Sequence, residues 1–101
     1  MSQLVDRLSS GPSNVSVSRY KTKDEFLEAV NKGFVLVRFT ETQGGTELGF
    51  EIDGDKSELD AESNGGHLRL VGPLVLDYVP VTCDVSIDVA SLSGQGQLKP
   101  D

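Results

Sequence analysis

A chain of 101 residues with 16 carboxylates against nine cations, a formal net charge of −7 and a pI near 4.5 has the size of one domain. Its charge repels nucleic-acid phosphates and anionic membrane surfaces, so neither is expected as a partner. No apolar run approaches the roughly 20 residues of a bilayer span. The start, Met1 to Asp6, lacks the basic and apolar stretches of a secretory signal, and the one cysteine, Cys83, has no internal disulfide partner; both point to the cytoplasm.

Residues 1–13 end in Ser9-Ser10-Gly11-Pro12-Ser13, a linker-like composition, and are expected to form a flexible tail ahead of one domain over 14–98. Leu4, Val5 and Leu8 fall at helical spacing, so a short docking helix is the alternative, although such a helix is marginal alone. Asn14 to Tyr20 alternates, with Val15 and Val17 on one face, as a first strand would.

A helix over 23–32 is punctuated at both ends. Thr22 is the N-cap, Glu25 completes a capping box, and Asp24 and Glu25 put negative charge where the helix dipole favours it. Phe26, Leu27 and Val30 form its apolar stripe, and Gly33 closes it in a left-handed cap. At under three turns the helix must lay that stripe on a sheet.

Three glycine-bearing doublets follow at even spacing, Gly44-Gly45, Gly54-Asp55 and Asn64-Gly65, with alternating residues between them. Counting outward from each as a two-residue loop predicts an antiparallel meander. One face carries the row Phe39, Phe50, Leu59, Leu70, flanked by Val37–Ile52 and Leu48–Ala61–Leu68. The other carries Arg38–Glu51–Glu58 and Gly49–Asp60–Arg69. Glu41 is the misfit, falling on the apolar side. Gly72-Pro73 reads as a bulge or bend, and a turn is required between Asp77 and Pro80. Val81, Cys83, Val85, Ile87 and Val89 then alternate cleanly along a strand, Ala90 to Ser93 forms a turn, and Gly94 to Leu98 a short last strand before a frayed end. The predicted fold is α+β: one N-terminal helix packed on a curved antiparallel meander of about six strands, either open or closed into a partial barrel.

Half of the 16 carboxylates lie between Glu41 and Glu62. The stretch from Asp53 resembles the start of a calcium loop, but its sixth position is Glu58 where glycine is needed and its twelfth is Asn64 where glutamate is needed. The register turns most of these charges into cross-strand pairs on a solvated face. It leaves Glu47, Glu62 and His67 as one unbalanced row, a candidate weak cation site. His67 is the only histidine, Cys83 sits in an apolar register, and no phosphate loop is present, so no catalytic constellation and no cofactor are expected.

Three readings of function follow. The first is a small acidic, non-enzymatic interaction or accessory domain that binds another protein. The second is a binder of a small apolar ligand in a pocket lined by Phe39, Phe50, Leu59, Leu70 and Cys83. The third is an enzyme using a carboxylate or His67. A homodimer is also open to such a chain if the strand from Val81 to Val89 lies at a sheet edge.

Overall fold

The structure, a computed structural model, describes residues 3–17, 19–42, 45–59 and 65–100. Its best-marked local element is the helix α2 (Lys23–Lys32), whose bounds match the sequence signals. The Glu25 N–H donates to Thr22 Oγ1 at 3.1 Å, and Glu25 in return accepts from the Lys21 N–H at 2.8 Å. Gly33, at φ 88°, donates its N–H to the carbonyls of Ala29 and Val30. Phe26 and Val30 are buried, and the Tyr20 ring lies against Phe26 with centroids 5.8 Å apart.

Around α2 the chain forms α1 (Gln3–Ser9), β1 (Ser13–Ser16), β2 (Phe34–Phe39), β3 (Thr46–Glu51), β4 (His67–Leu76), β5 (Val79–Asp88) and β6 (Ser93–Pro100). The fold is α+β, as expected, and all six strands pair antiparallel in one sheet of order β3-β2-β1-β6-β5-β4. That order is the chain order wrapped on itself. Each strand lies beside its neighbour in sequence and β6 returns to pair with β1, except that among the described residues β3 and β4 are not paired. The gap between them is bridged. The Asp53 N–H donates to the Val71 carbonyl at 2.7 Å, Glu58 and Arg69 exchange two backbone bonds, and Ser57 Oγ bonds both the N–H and the carbonyl of Val71. The result is a nearly closed barrel with a seam.

The interior is filled by side chains from every strand and both helices. Val15, Val17, Val35, Val37, Phe39, Phe50, Leu68, Leu70, Val81, Cys83, Val85, Ile87 and Leu98 belong to one buried cluster with Phe26 and Val30 of α2. Val5 and Leu8 of α1 belong to it too, so residues 3–9 are a docked helix and not the tail their composition suggests. Burial of two apolar side chains outweighs the marginal propensity of a two-turn helix. Gln97 Nε2 donates to the Ser9 carbonyl at 3.2 Å, which ties α1 to β6.

Three register expectations are corrected. Phe39 lies opposite Thr46 instead of Phe50, and Phe50 lies opposite Val35, because the β2–β3 loop runs from Thr40 to Gly45. That longer loop is held by the Gly45 N–H donating to Thr42 and by a 2.7 Å bond between the Thr42 and Thr46 hydroxyls. Glu41 therefore sits in the loop, where its carboxylate accepts from Asn14 and its carbonyl from Arg7. Gly54 and Asp55 do form a turn, but the segment after it makes only the single bridge Glu58–Arg69, so no regular strand covers 57–59; residues 60–64 lie outside the described residues. Gly72-Pro73 makes no bulge: β4 runs through it in register, Gly72 opposite Cys83 and Pro73 opposite Thr82. Arg69 and Val71 aim their backbone groups at the seam, so by the two-residue alternation of the ladder Pro73 does as well, and its missing N–H costs no bond to β5. Gly72 is required where β3 crosses, since a Cβ there would collide with the Glu51 carbonyl oxygen.

Candidate functional site

Phe39, Phe50, Leu70 and Cys83, the predicted pocket lining, are buried in the packed interior and touch the core from four different strands. Leu59 is apart from them, 45 % exposed on the segment beyond the Gly54 turn. Burial pushes the Cys83 thiol up to about 12, with Asp84 adding to the shift, so it is held protonated at neutral pH.

The predicted acidic row is dispersed. Glu47, on β3, pairs with Arg19 at 3.1 Å and lies opposite Arg38 in the β2–β3 ladder. His67, at the start of β4, is exposed and lies 3.9 Å from Asp88. Glu62 falls outside the described residues. Among the described residues no three His, Cys, Asp or Glu side chains gather to hold a metal ion. No helix among them is long and apolar enough to cross a membrane.

The outer face carries two charged clusters. Across β4, β5 and β6, Asp84 receives Arg69 through two nitrogens, at 2.7 and 3.1 Å, and Lys99 at 3.3 Å. The hydrogen bond from Arg69 holds the Asp84 carboxyl below its ordinary range, against the opposing effect of its partial burial, and Asp84 in turn raises Arg69. The sequence count gave Arg69 to Asp60; the observed partner comes from the β5 side. The second cluster gathers Arg19, Arg38 and Glu47 around a surface cavity of about 190 Å³ that Ser16 and Leu36 complete.

A third feature is apolar. β4 and β5 end in a two-residue turn, Asp77 at φ 50° and Tyr78 at φ 66°, with Leu76 paired to Val79 across it. Both central residues have positive φ, as in the primed hairpin turns that glycine and asparagine normally occupy. Tyr78 is 99 % exposed, Val75 is 69 % exposed, and Pro73 and Pro80 flank them on the two strands. Sequence reading located the turn but missed the tip, because an Asp-Tyr pair carries no glycine signal for a two-residue loop. The apolar residues on either side merge into the strands.

Compared with known proteins, the chain matches no protein-family model and no curated sequence.

Proposed function

We propose that this chain is a non-enzymatic, cytoplasmic interaction domain that docks another protein through the tip of the β4–β5 hairpin. The observation that carries the reading is Tyr78, almost fully exposed and held in a left-handed backbone conformation. That conformation costs an L-residue with a Cβ about 1–2 kcal/mol, and a bulky aromatic side chain gains nothing from the protein's own core at such a position. Backbone strain and exposed apolar area coincide here, as they do at sites retained for function. Tyrosine is also a residue type that anchors interfaces, offering a large apolar body and a polar end at little rotamer cost.

The chemistry of the tip narrows the partner. Pro73 points its missing N–H outward from the β4 edge, so a partner cannot easily add a strand there. Insertion of side chains into a pocket is favoured over strand addition. Asp77 beside Tyr78, on a chain of net charge −7, favours a pocket with Lys or Arg at its rim and disfavours a second acidic copy of this chain. The strand proposed for edge-to-edge pairing, β5, is flanked on both sides by β4 and β6. The buried, protonated Cys83 and the exposed His67 support the non-enzymatic part of the reading. A cysteine with no disulfide partner supports the compartment.

A photo-crosslinking phenylalanine analogue placed at position 78, and separately at the exposed position 55, tests this in native cell extract. Crosslinks from 78 that excess wild-type protein competes away, and the Tyr78→Gly variant does not, are expected. Equal crosslinking from both positions, or competition by Tyr78→Gly as strong as by wild type, would overturn it.

A further inference from the structure

We propose that the cavity between the start of α2 and the His67–Asp88 end of the β4–β5 ladder binds a small carboxylate with an apolar tail. Lys23 takes the carboxylate, and Leu27, Val89 and Ala90 take the tail. The site is independent of the hairpin tip, which lies at the other end of the same two strands.

The cavity has a volume of about 520 Å³. That falls within the roughly 300–1,000 Å³ of sites that enclose small molecules. Three pieces of chain meet around it and leave it open. Lys23 and Leu27 lie four positions apart and so share one face of α2. Phe26 and Val30 fill the core beneath the helix, while Leu27 is only partly covered. The second wall is Gly65 and Gly66, both at positive φ, where an added Cβ would meet nothing within 4 Å. That corner therefore carries no side chain to fill the space. The third wall is Asp88 to Ala90. The Val89 N–H donates to the Gly66 carbonyl at 3.0 Å and joins this wall to the glycine corner. The Leu92 N–H donates to the Asp88 carbonyl at 2.8 Å, which fixes the turn that follows.

Charge selects the ligand. Asp24 and Glu25 in the first turn of α2 and Lys32 in the last turn all suit the helix dipole. Lys23, at the first helical position, has the wrong sign for it. Among the described residues Lys23 forms no ion pair that would offset this. A local rule broken at the mouth of a cavity, on a helix that otherwise obeys it, marks a residue kept for another purpose. The other charge on the lining, Asp88, is engaged elsewhere. Its Oδ1 accepts the N–H groups of Ala90 at 2.9 Å and Ser91 at 3.4 Å, and its Oδ2 lies 3.9 Å from His67 Nε2. Lys23 is thus the charge on this lining that a ligand can meet, and it favours an anion. One ammonium balances one negative charge, and a chain of net charge −7 repels a dianion more than a monoanion. A carboxylate satisfies both conditions, and the apolar walls call for a hydrocarbon attached to it.

The test titrates the full chain with sodium octanoate, with octanol and with sodium acetate, at constant ionic strength, followed by amide chemical shifts. Saturable shifts centred on Leu27, Gly66 and Val89 are expected with octanoate. Octanol, which lacks the charge, and acetate, which lacks the tail, should each bind about tenfold or more weaker. Lys23→Glu should weaken octanoate binding by a similar factor without lowering the melting temperature, because an acidic residue at that position agrees with the helix dipole. Ala90→Phe, which fills the cavity from an exposed position, should block octanoate. Melting curves check that it is folded, and Ala90→Leu takes its place if it is not. Octanoate shifts that fail to saturate or centre elsewhere, octanol or acetate binding as tightly as octanoate, or unchanged affinity in Lys23→Glu or in the folded Ala90 variant would each overturn the proposal.

Discussion

Tyr78 and Asp84 are side chains whose surroundings make opposite demands. Tyr78 occupies a backbone conformation that glycine would adopt without strain, so Tyr78→Gly should stabilise the fold by about 0.5–1 kcal/mol after the added freedom of the unfolded glycine is subtracted. A higher urea midpoint at unchanged m-value would show it, and a lower midpoint would refute the strain argument. Asp84 stabilises the fold. Its carboxyl is held below the unfolded value by Arg69 and Lys99, so its contribution is fully present above the unfolded aspartate pKa of about 3.9 and is lost as pH falls through the lower folded value. Asp84→Asn should cost about 1 kcal/mol at neutral pH, a modest figure because Arg69 is half-exposed, and should flatten the decline in stability on acidification. Unfolding curves at pH 7 and pH 3 for the two proteins check both parts. The Asp84 partnership is not legible in the sequence, because the strand pairing that creates it depends on a two-residue turn without glycine.

At the level of elements, legibility followed the locality of the signal. α2 was readable to the residue, since its cap, its stripe and its terminal glycine all lie within a dozen positions. The faces of β2 and β3 were readable although their pairing was not. The register differs by four residues, from Phe39–Phe50 to Phe39–Thr46, and an even slip keeps every side chain on its own face. Agreement between patterning and faces therefore could not fix the register. The loop does that, through threonine hydroxyl contacts that composition does not announce. α1 failed for a different reason: its local propensity is weak and its stability is tertiary. Leu8→Ala should consequently cost about 2–4 kcal/mol, the range for a buried leucine, where a flexible tail would show almost no change. Chemical denaturation distinguishes the two directly. The candidate sites divide in the same way. The row Glu47, Glu62 and His67 follows from a meander count through residues 57–62, of which the described 57–59 make only one bridge, while the clustering of Arg19 with Glu47 depends on where β1 stops, which alternation through Tyr20 obscures.

For the molecule as a whole, one interior joins all the described elements, and Cys83 lies within it on a strand bordered by two others. Its thiol is buried and protonated, so a thiol reagent has to wait for an opening that exposes β5. Labelling of Cys83 under native conditions should give the same opening free energy as urea unfolding; a clearly smaller value would mean that β5 opens locally without the rest.

β1 has a consequence for the order in which this protein acquires its structure. It contributes four residues, yet it alone joins the β2–β3 pair to the β4–β5–β6 group on the side of the barrel away from the seam. The β2–β3 and β4–β5 ladders can close over short loops, whereas the β1–β6 ladder must draw Ser13 to Gly96 across nearly the whole chain. The two groups thus have a low entropic cost of assembly, and the keystone between them a high one. Weakening β1, for example with Val15→Ala, is then expected to hasten unfolding while leaving the refolding rate almost unchanged, the kinetic signature of a strand that enters last.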